Sequence, residues 1–266
     1  MGSLIQQAFT AARKANRIGL IPFIPAGYSD LATTAAALIA CDRSGATVIE
    51  VGFPFSDPIA DGPTIQEAFT AALAKKLKIA DVFAAVKSIS PKLSTPLVAM
   101  VSYSIVFRYG TEKFLADAKA AGFAGLIVPD LPPPEAEKVA RLVHAAGLDN
   151  ILLIAPTTSA ARRLEIVKQC SGFVYYLSVS GITGERDRLP DDLTEAVRQI
   201  KALTDLPVCI GFGIHKPAQV AELAKVADGA IVGTAIVRRI KEHAAEGPAA
   251  IAEVIGEYLK SLVGQK

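Results

Sequence analysis

Residues 47–63 read TVIEVGFPFSDPIADGP. The first six form an apolar β-type run with one interruption, the carboxylate of Glu50. A loop rich in proline and aspartate follows and reaches Asp61. Apolar residues without alternation are the pattern of a parallel strand covered on both faces. An ionised side chain in such a strand is costly unless something compensates it. Glu50 is therefore either paired structurally or held near-neutral for proton transfer. Asp61, on the loop leaving the same strand, comes back over the same strand end and completes a candidate acid/base pair.

Working outward, similar short runs recur at 20–24, 97–101, 125–128, 151–155, 173–177, 208–211 and 229–232, which with 47–52 makes eight. Ala-rich amphipathic segments separate them. Asp30 is placed to cap the first of these and Gly45 to close it, and the segment 134–146 ends at Gly147. Strand alternating with helix implies right-handed crossovers and a parallel sheet. Eight such units in about 250 residues predict a (β/α)8 TIM barrel, an α/β fold, rather than a doubly wound open sheet. Residues 3–15 predict an extra N-terminal helix over the barrel floor, and 248–262 the final helix. No linker interrupts the pattern, so residues 1–266 read as a single barrel domain.

Composition narrows the function. The 266 residues are 51% hydrophobic and 20% charged, with a net charge of +2 and scattered basic residues, which argues against a nucleic-acid surface. No apolar stretch reaches membrane-spanning length free of breakers. The three cysteines, Cys41, Cys170 and Cys209, lie far apart in apolar contexts and read as reduced core residues of a cytoplasmic protein. His144, His215 and His243 are dispersed, so no histidine-built metal site is expected. The strand ends carry no lysine for a Schiff base, and neither a GxSxG elbow nor a catalytic-type cysteine is present. Proton transfer by carboxylates remains.

In a barrel the active site lies at the C-terminal strand ends. Glycine-rich turns collect there: 180–184 (SGITG), 211–213 (GFG) and Gly233-Thr234. Glycines let backbone N–H groups approach an anion, and a helix N-terminus adds favourable partial charge. These turns predict a phosphate site. The polar stretch 180–190 is either a lid or an ordinary exposed loop.

The segments EVGFPFSDPIADGPTIQ, VPDLPPPEA, LSVSGITG, GFGI and ADGAIVGTAIV, in this order, resemble the tryptophan synthase alpha subunit family, and the resemblance covers essentially the whole chain. It implies a lyase that cleaves indole-3-glycerol phosphate to indole and glyceraldehyde 3-phosphate. It also implies a beta subunit that receives the indole in an alpha2beta2 heterotetramer and holds the pyridoxal phosphate, with no cofactor or metal in this chain. By residue, it implies Glu50 as the proton shuttle and Asp61 as the acceptor of the indole N–H. Gly184, Gly213, Gly233 and Thr234 would hold the phosphate, Thr183 would belong to the lid, and Phe23, Ile127, Tyr175 and Phe212 would line the pocket. Pro54 and Asp57 would meet the partner. One stretch departs: where the family often reads Tyr-x-Asn-Pro, this chain has Ser102-Tyr103-Ser104-Ile105, so either the tyrosine is displaced by one position or Ser102 leaves extra room. Three alternatives stay open at this point: a lyase that needs no partner, a binding subunit that only activates its partner, and a different phosphate-sugar barrel enzyme.

Overall fold

The computed structural model describes residues 2–58, 61–177, 192–211 and 213–263. Among them run nine parallel strand segments: β1 (Gly19–Pro25), β2 (Ile49–Gly52), β3 (Leu97–Met100), β4 (Phe123–Ile127), β5 (Asp149–Ile151), β6 (Leu153–Ile154), β7 (Val174–Leu177), β8 (Val208–Gly211) and β9 (Gly229–Val232). Their order in the sheet is β5-β4-β3-β2-β1-β9-β8-β7-β6. The two ends of that order, β5 and β6, are separated in the chain only by Leu152, so the sheet closes on itself. This is a (β/α)8 barrel with an added N-terminal helix.

The strand expected as one run over 151–155 is divided. Its first part bonds to β4 and its second to β7, while the Leu152 carbonyl accepts from the Tyr175 N–H at 3.1 Å. It ends at Ile154 because a turn captures the next residue. Thr158 Oγ accepts from the Ala155 N–H at 3.0 Å, and the Thr158 N–H donates to the Ala155 carbonyl at 2.9 Å.

Local signals place the helices. Ser3 opens the helix Leu4–Lys14 with a capping box, its Oγ accepting from the Gln6 N–H at 3.3 Å while Gln6 Oε1 accepts from the Ser3 N–H at 3.1 Å. Asp30 caps Leu31–Arg43 by accepting from the Thr33 N–H at 2.6 Å, and Gly45 follows at φ +85°.

Two apolar layers result. The larger lies between sheet and helices. The smaller fills the barrel itself, with Ile21, Val98, Ile127, Ile151, Tyr175, Cys209 and Ile231 among its members. Ile5 and Phe9 of the N-terminal helix close its floor, and Phe9 packs on Phe173 with ring centroids 5.8 Å apart. With the floor sealed, the strand C-termini form the remaining mouth.

Candidate active site

Side chains on a strand alternate between faces. Val48 belongs to the barrel interior, so Glu50 and Gly52 share its inward direction. Neighbouring strands agree: Glu50 is in register with Phe23 of β1 and with Val98 of β3, itself an interior residue. The carboxylate expected from the apolar run is therefore inside the barrel, not in the helical shell.

Glu50 is 1% exposed, and neither carboxyl oxygen has a hydrogen-bond partner among the described residues. A buried carboxyl without donors is far easier to hold neutral than charged. Burial accordingly pushes its pKa from an ordinary 4.5 to about 8. At neutral pH Glu50 therefore holds its proton, with no hydrogen-bond partner for it among the described residues.

Asp61 stands just before Gly62, the N-cap of the helix Pro63–Ala74. Its backbone is fixed from both sides. The Asp61 N–H donates to the Pro58 carbonyl at 3.0 Å, and Gln66 Nε2 donates to the Asp61 carbonyl at 2.8 Å. Desolvation raises the Asp61 carboxyl from 3.8 to about 6, so it is largely ionised at pH 7. Environment thus separates two like groups into a protonated acid and a charged acceptor.

Tyr175 joins them electrostatically. Its phenol is pushed well above the ordinary tyrosine range by burial, then by the charges of Glu50 and Asp61, then by Cys209. Both carboxylates thus act on one ring inside the barrel. That ring lies over Gly211 at the end of β8, where a Cβ would stand 2.8 Å from the Tyr175 hydroxyl oxygen. On the other side, the Phe23 ring lies over Gly52, where a Cβ would stand 2.4 Å from Phe23 Cζ. Both glycines sit where only a residue without a side chain admits the ring. They were not singled out from the sequence as ring seats. The available signal was a glycine at the inward position two residues past Glu50.

Beyond β1, at the end of the adjoining strand β9, Gly233 is the N-cap of the helix Thr234–Glu242, whose first residue, Thr234, is buried. Gly213 adopts φ +59°, in the left-handed region that glycine enters without strain. The neighbouring His215 is built into its own loop: its Nδ1 pairs with the Gly213 carbonyl at 3.0 Å, and its carbonyl accepts from the Tyr258 hydroxyl at 3.1 Å. Ile127 is fully buried in the interior layer. The predicted residues Thr183, Gly184 and Phe212 lie outside the described residues.

Of the two residues expected at a partner surface, Asp57 is exposed and accepts from the Ser56 hydroxyl at 2.5 Å, whereas Pro54 is buried. At the departing stretch, Tyr103 turns toward the helix Pro133–Ala145, donating its hydroxyl to Glu135 at 3.3 Å and packing on Phe107 at 5.9 Å. Ser102 is buried and donates to Asp130 Oδ2 at 2.6 Å. The tyrosine therefore does not replace a side chain at position 102; the small serine occupies that place.

The chain is similar over nearly its whole length to several known proteins. A family model described as tryptophan synthase alpha chain matches residues 9–261. The tryptophan synthase alpha chain of Rhodopirellula baltica is 43% identical over 97% of this chain and 96% of its own length. That of Synechocystis sp. is 44% identical over 90% of each. The solved structure of Mycobacterium tuberculosis tryptophan synthase superposes with a TM-score of 0.88 at 38% identity, covering 100% of both chains. A mutant tryptophan synthase alpha-subunit from Pyrococcus furiosus does so with a TM-score of 0.85 at 37% identity, over 94% of this chain and 99% of that one.

Proposed function

We infer the reaction and its residues from one premise: the chain belongs to the tryptophan synthase alpha chain family. It is a lyase of tryptophan biosynthesis that cleaves indole-3-glycerol phosphate by a retro-aldol reaction, giving indole and glyceraldehyde 3-phosphate. The observation that carries the assignment of roles is the fully buried Glu50 inside the barrel, which has no hydrogen-bond partner among the described residues and which burial keeps protonated.

Glu50 gives its proton to indole C3. The ring becomes an iminium-like cation, and Glu50 becomes a carboxylate. The bond from C3 to the glycerol carbon then breaks, its electron pair returning to the ring to form neutral indole. The carbon left behind becomes the aldehyde as its hydroxyl loses a proton. Glu50, now basic, takes that proton and is restored, so one carboxyl closes the cycle without net proton consumption. Asp61 accepts the indole N–H. Its bond strengthens as positive charge grows on the ring, so it favours the transition state over the substrate. Phe23, Ile127 and Tyr175, with Phe212, supply the apolar walls that keep water from the cation.

The phosphate rests on backbone N–H groups of Gly213, Gly233 and Thr234 and on the Thr234 hydroxyl, at the start of a helix where its charge is favoured; Gly184 adds a further amide, and Thr183 closes over Asp61 as part of a lid. The alpha chain partners a beta subunit, and we place the two in an alpha2beta2 assembly, with the loop of Pro54 and Asp57 at the contact and the pyridoxal phosphate held by the beta subunit. Residues 1–266 act as a single barrel domain in the cytoplasm. Among the described residues no helix is long and apolar enough to cross a membrane.

The direct test is to incubate the purified chain with indole-3-glycerol phosphate, with and without a beta subunit, and follow free indole and glyceraldehyde 3-phosphate. Release of both supports the assignment. No release in either condition, with turnover of another phosphorylated sugar, refutes it.

A further inference from the structure

We propose that Phe69 is a positioning residue for the cleavage: its ring holds Phe23 over Gly52, and through that contact fixes the Asp61 segment against the strand that carries Glu50. The inference rests on the reading of the site given above and adds a residue remote from the substrate.

Phe69 lies in the helix Pro63–Ala74 and is 3% exposed. Its ring centroid is 6.4 Å from that of Phe23, and its Cε1 lies 3.4 Å from where a Cβ on Gly52 would stand. Phe55, on the loop leaving β2, packs on its other side at 5.8 Å. The Phe23 ring is thus enclosed between the inner face of β2 and this helix. One turn earlier, Ile65 of the same helix reaches the Gly233 end, its Cδ1 3.9 Å from the place of a Cβ there. The helix therefore contacts the mouth wall on its carboxylate side and on its phosphate side.

Asp61, just before this helix, is tied to it. Gln66 Nε2 donates to the carbonyls of Asp61 at 2.8 Å and Pro58 at 3.3 Å, and the Ile65 and Gln66 N–H groups both donate to the Gly62 carbonyl at 3.0 Å. The Asp61 backbone is thereby stitched to the first helical turn, and a shift of the helix carries the carboxylate with it. On the strand side, Phe23 is the register partner of Glu50. The path from one carboxylate to the other runs Asp61, Gln66, Phe69, Phe23, Gly52, Glu50. Displacements on the order of 1 Å in such a frame cost about a hundred-fold in rate.

The test compares wild type with Phe69→Leu, Phe69→Met, Gly52→Ala and the double variant Gly52→Ala/Phe69→Leu, each normalised to its folded fraction by circular dichroism. Phe69→Leu is expected to lower kcat about ten-fold while KM for indole-3-glycerol phosphate stays within about two-fold, because the phosphate contacts are untouched. Phe69→Met, which refills the space, returns most of the rate. Gly52→Ala drives the Phe23 ring out of place and lowers kcat/KM about a hundred-fold; adding Phe69→Leu lets the ring retreat and recovers about ten-fold. A Phe69→Leu enzyme with wild-type kcat and only a lowered melting temperature overturns the proposal, as does a double variant whose losses simply multiply. If Gly52→Ala does not fold, the kcat-against-KM comparison at position 69 decides alone. Wild type that releases no indole refutes the assigned reaction instead, so the two failures are distinguishable.

Discussion

Phe23 and Glu50 are register partners in the parallel pairing of β1 with β2, so an aromatic side chain and a carboxyl with no hydrogen-bond partner among the described residues stand side by side on the inner wall of the barrel. This juxtaposition explains the chemistry assigned to the site. The apolar wall raises the proton affinity of Glu50, and the same wall is the surface on which an indole ring packs.

The pH dependence follows from the two carboxyls. Asp61 accepts the indole N–H only when ionised, so kcat/KM falls as pH drops through about 6. Glu50 donates only when protonated, so kcat/KM falls as pH rises through about 8. A bell-shaped profile between these values is expected from initial rates of indole release. A flat profile from pH 5 to 9 would contradict the assignment.

Replacing Asp61 by Asn keeps the shape but removes the charge that answers the developing cation. We expect kcat to fall about 10²–10³-fold with a small change in KM, and the acidic limb of the profile to disappear. Steady-state kinetics across pH would show both effects; a loss confined to KM would mean that Asp61 only binds substrate.

Gly233 offers a clean probe of the phosphate site. Its φ is −111°, and the nearest atom to an added Cβ is 3.7 Å away, an ordinary contact, so Gly233→Ala fits the folded chain. Any loss therefore reports what approaches that backbone from outside. KM for indole-3-glycerol phosphate should rise about ten-fold with the melting temperature unchanged. Unchanged kinetics would place the phosphate elsewhere.

Stability carries an independent signature of Glu50. Its carboxyl titrates at about 8 in the fold and near its ordinary 4.5 when unfolded. Between these values the folded chain binds the extra proton, so stability falls as pH rises and levels off above 8. Glu50→Gln cannot titrate. It should match wild type near pH 4.5 and exceed it by about 5 kcal/mol at pH 9, in chemical denaturation. An equal difference at both pH values would show that Glu50 is not buried and neutral.

Much of this was legible in the sequence because the signals were local. A single carboxylate in an apolar six-residue run stands out whatever surrounds it, and eight such runs separated by amphipathic segments define a barrel. Caps at Ser3 and Asp30 announce helix starts through hydrogen bonds within one turn. What escaped depends on contacts between distant segments. The division of the strand at Leu152 reflects a change of partner from β4 to β7. The turning of Tyr103 toward Glu135 depends on a helix that begins thirty residues later. The rings over Gly52 and Gly211 come from β1 and β7, so neither glycine reveals its reason until the strands are side by side.

The most direct test of the account is the rate of indole release from indole-3-glycerol phosphate by purified Glu50→Gln, measured beside wild type at pH 7 on protein shown by circular dichroism to be folded. Glutamine preserves the volume and hydrogen-bonding polarity of the side chain but has no proton to cycle. The account predicts a loss of about 10³-fold or more in kcat with the barrel intact. Turnover near that of wild type would show that another group carries the proton, and the roles assigned around Glu50 would not stand.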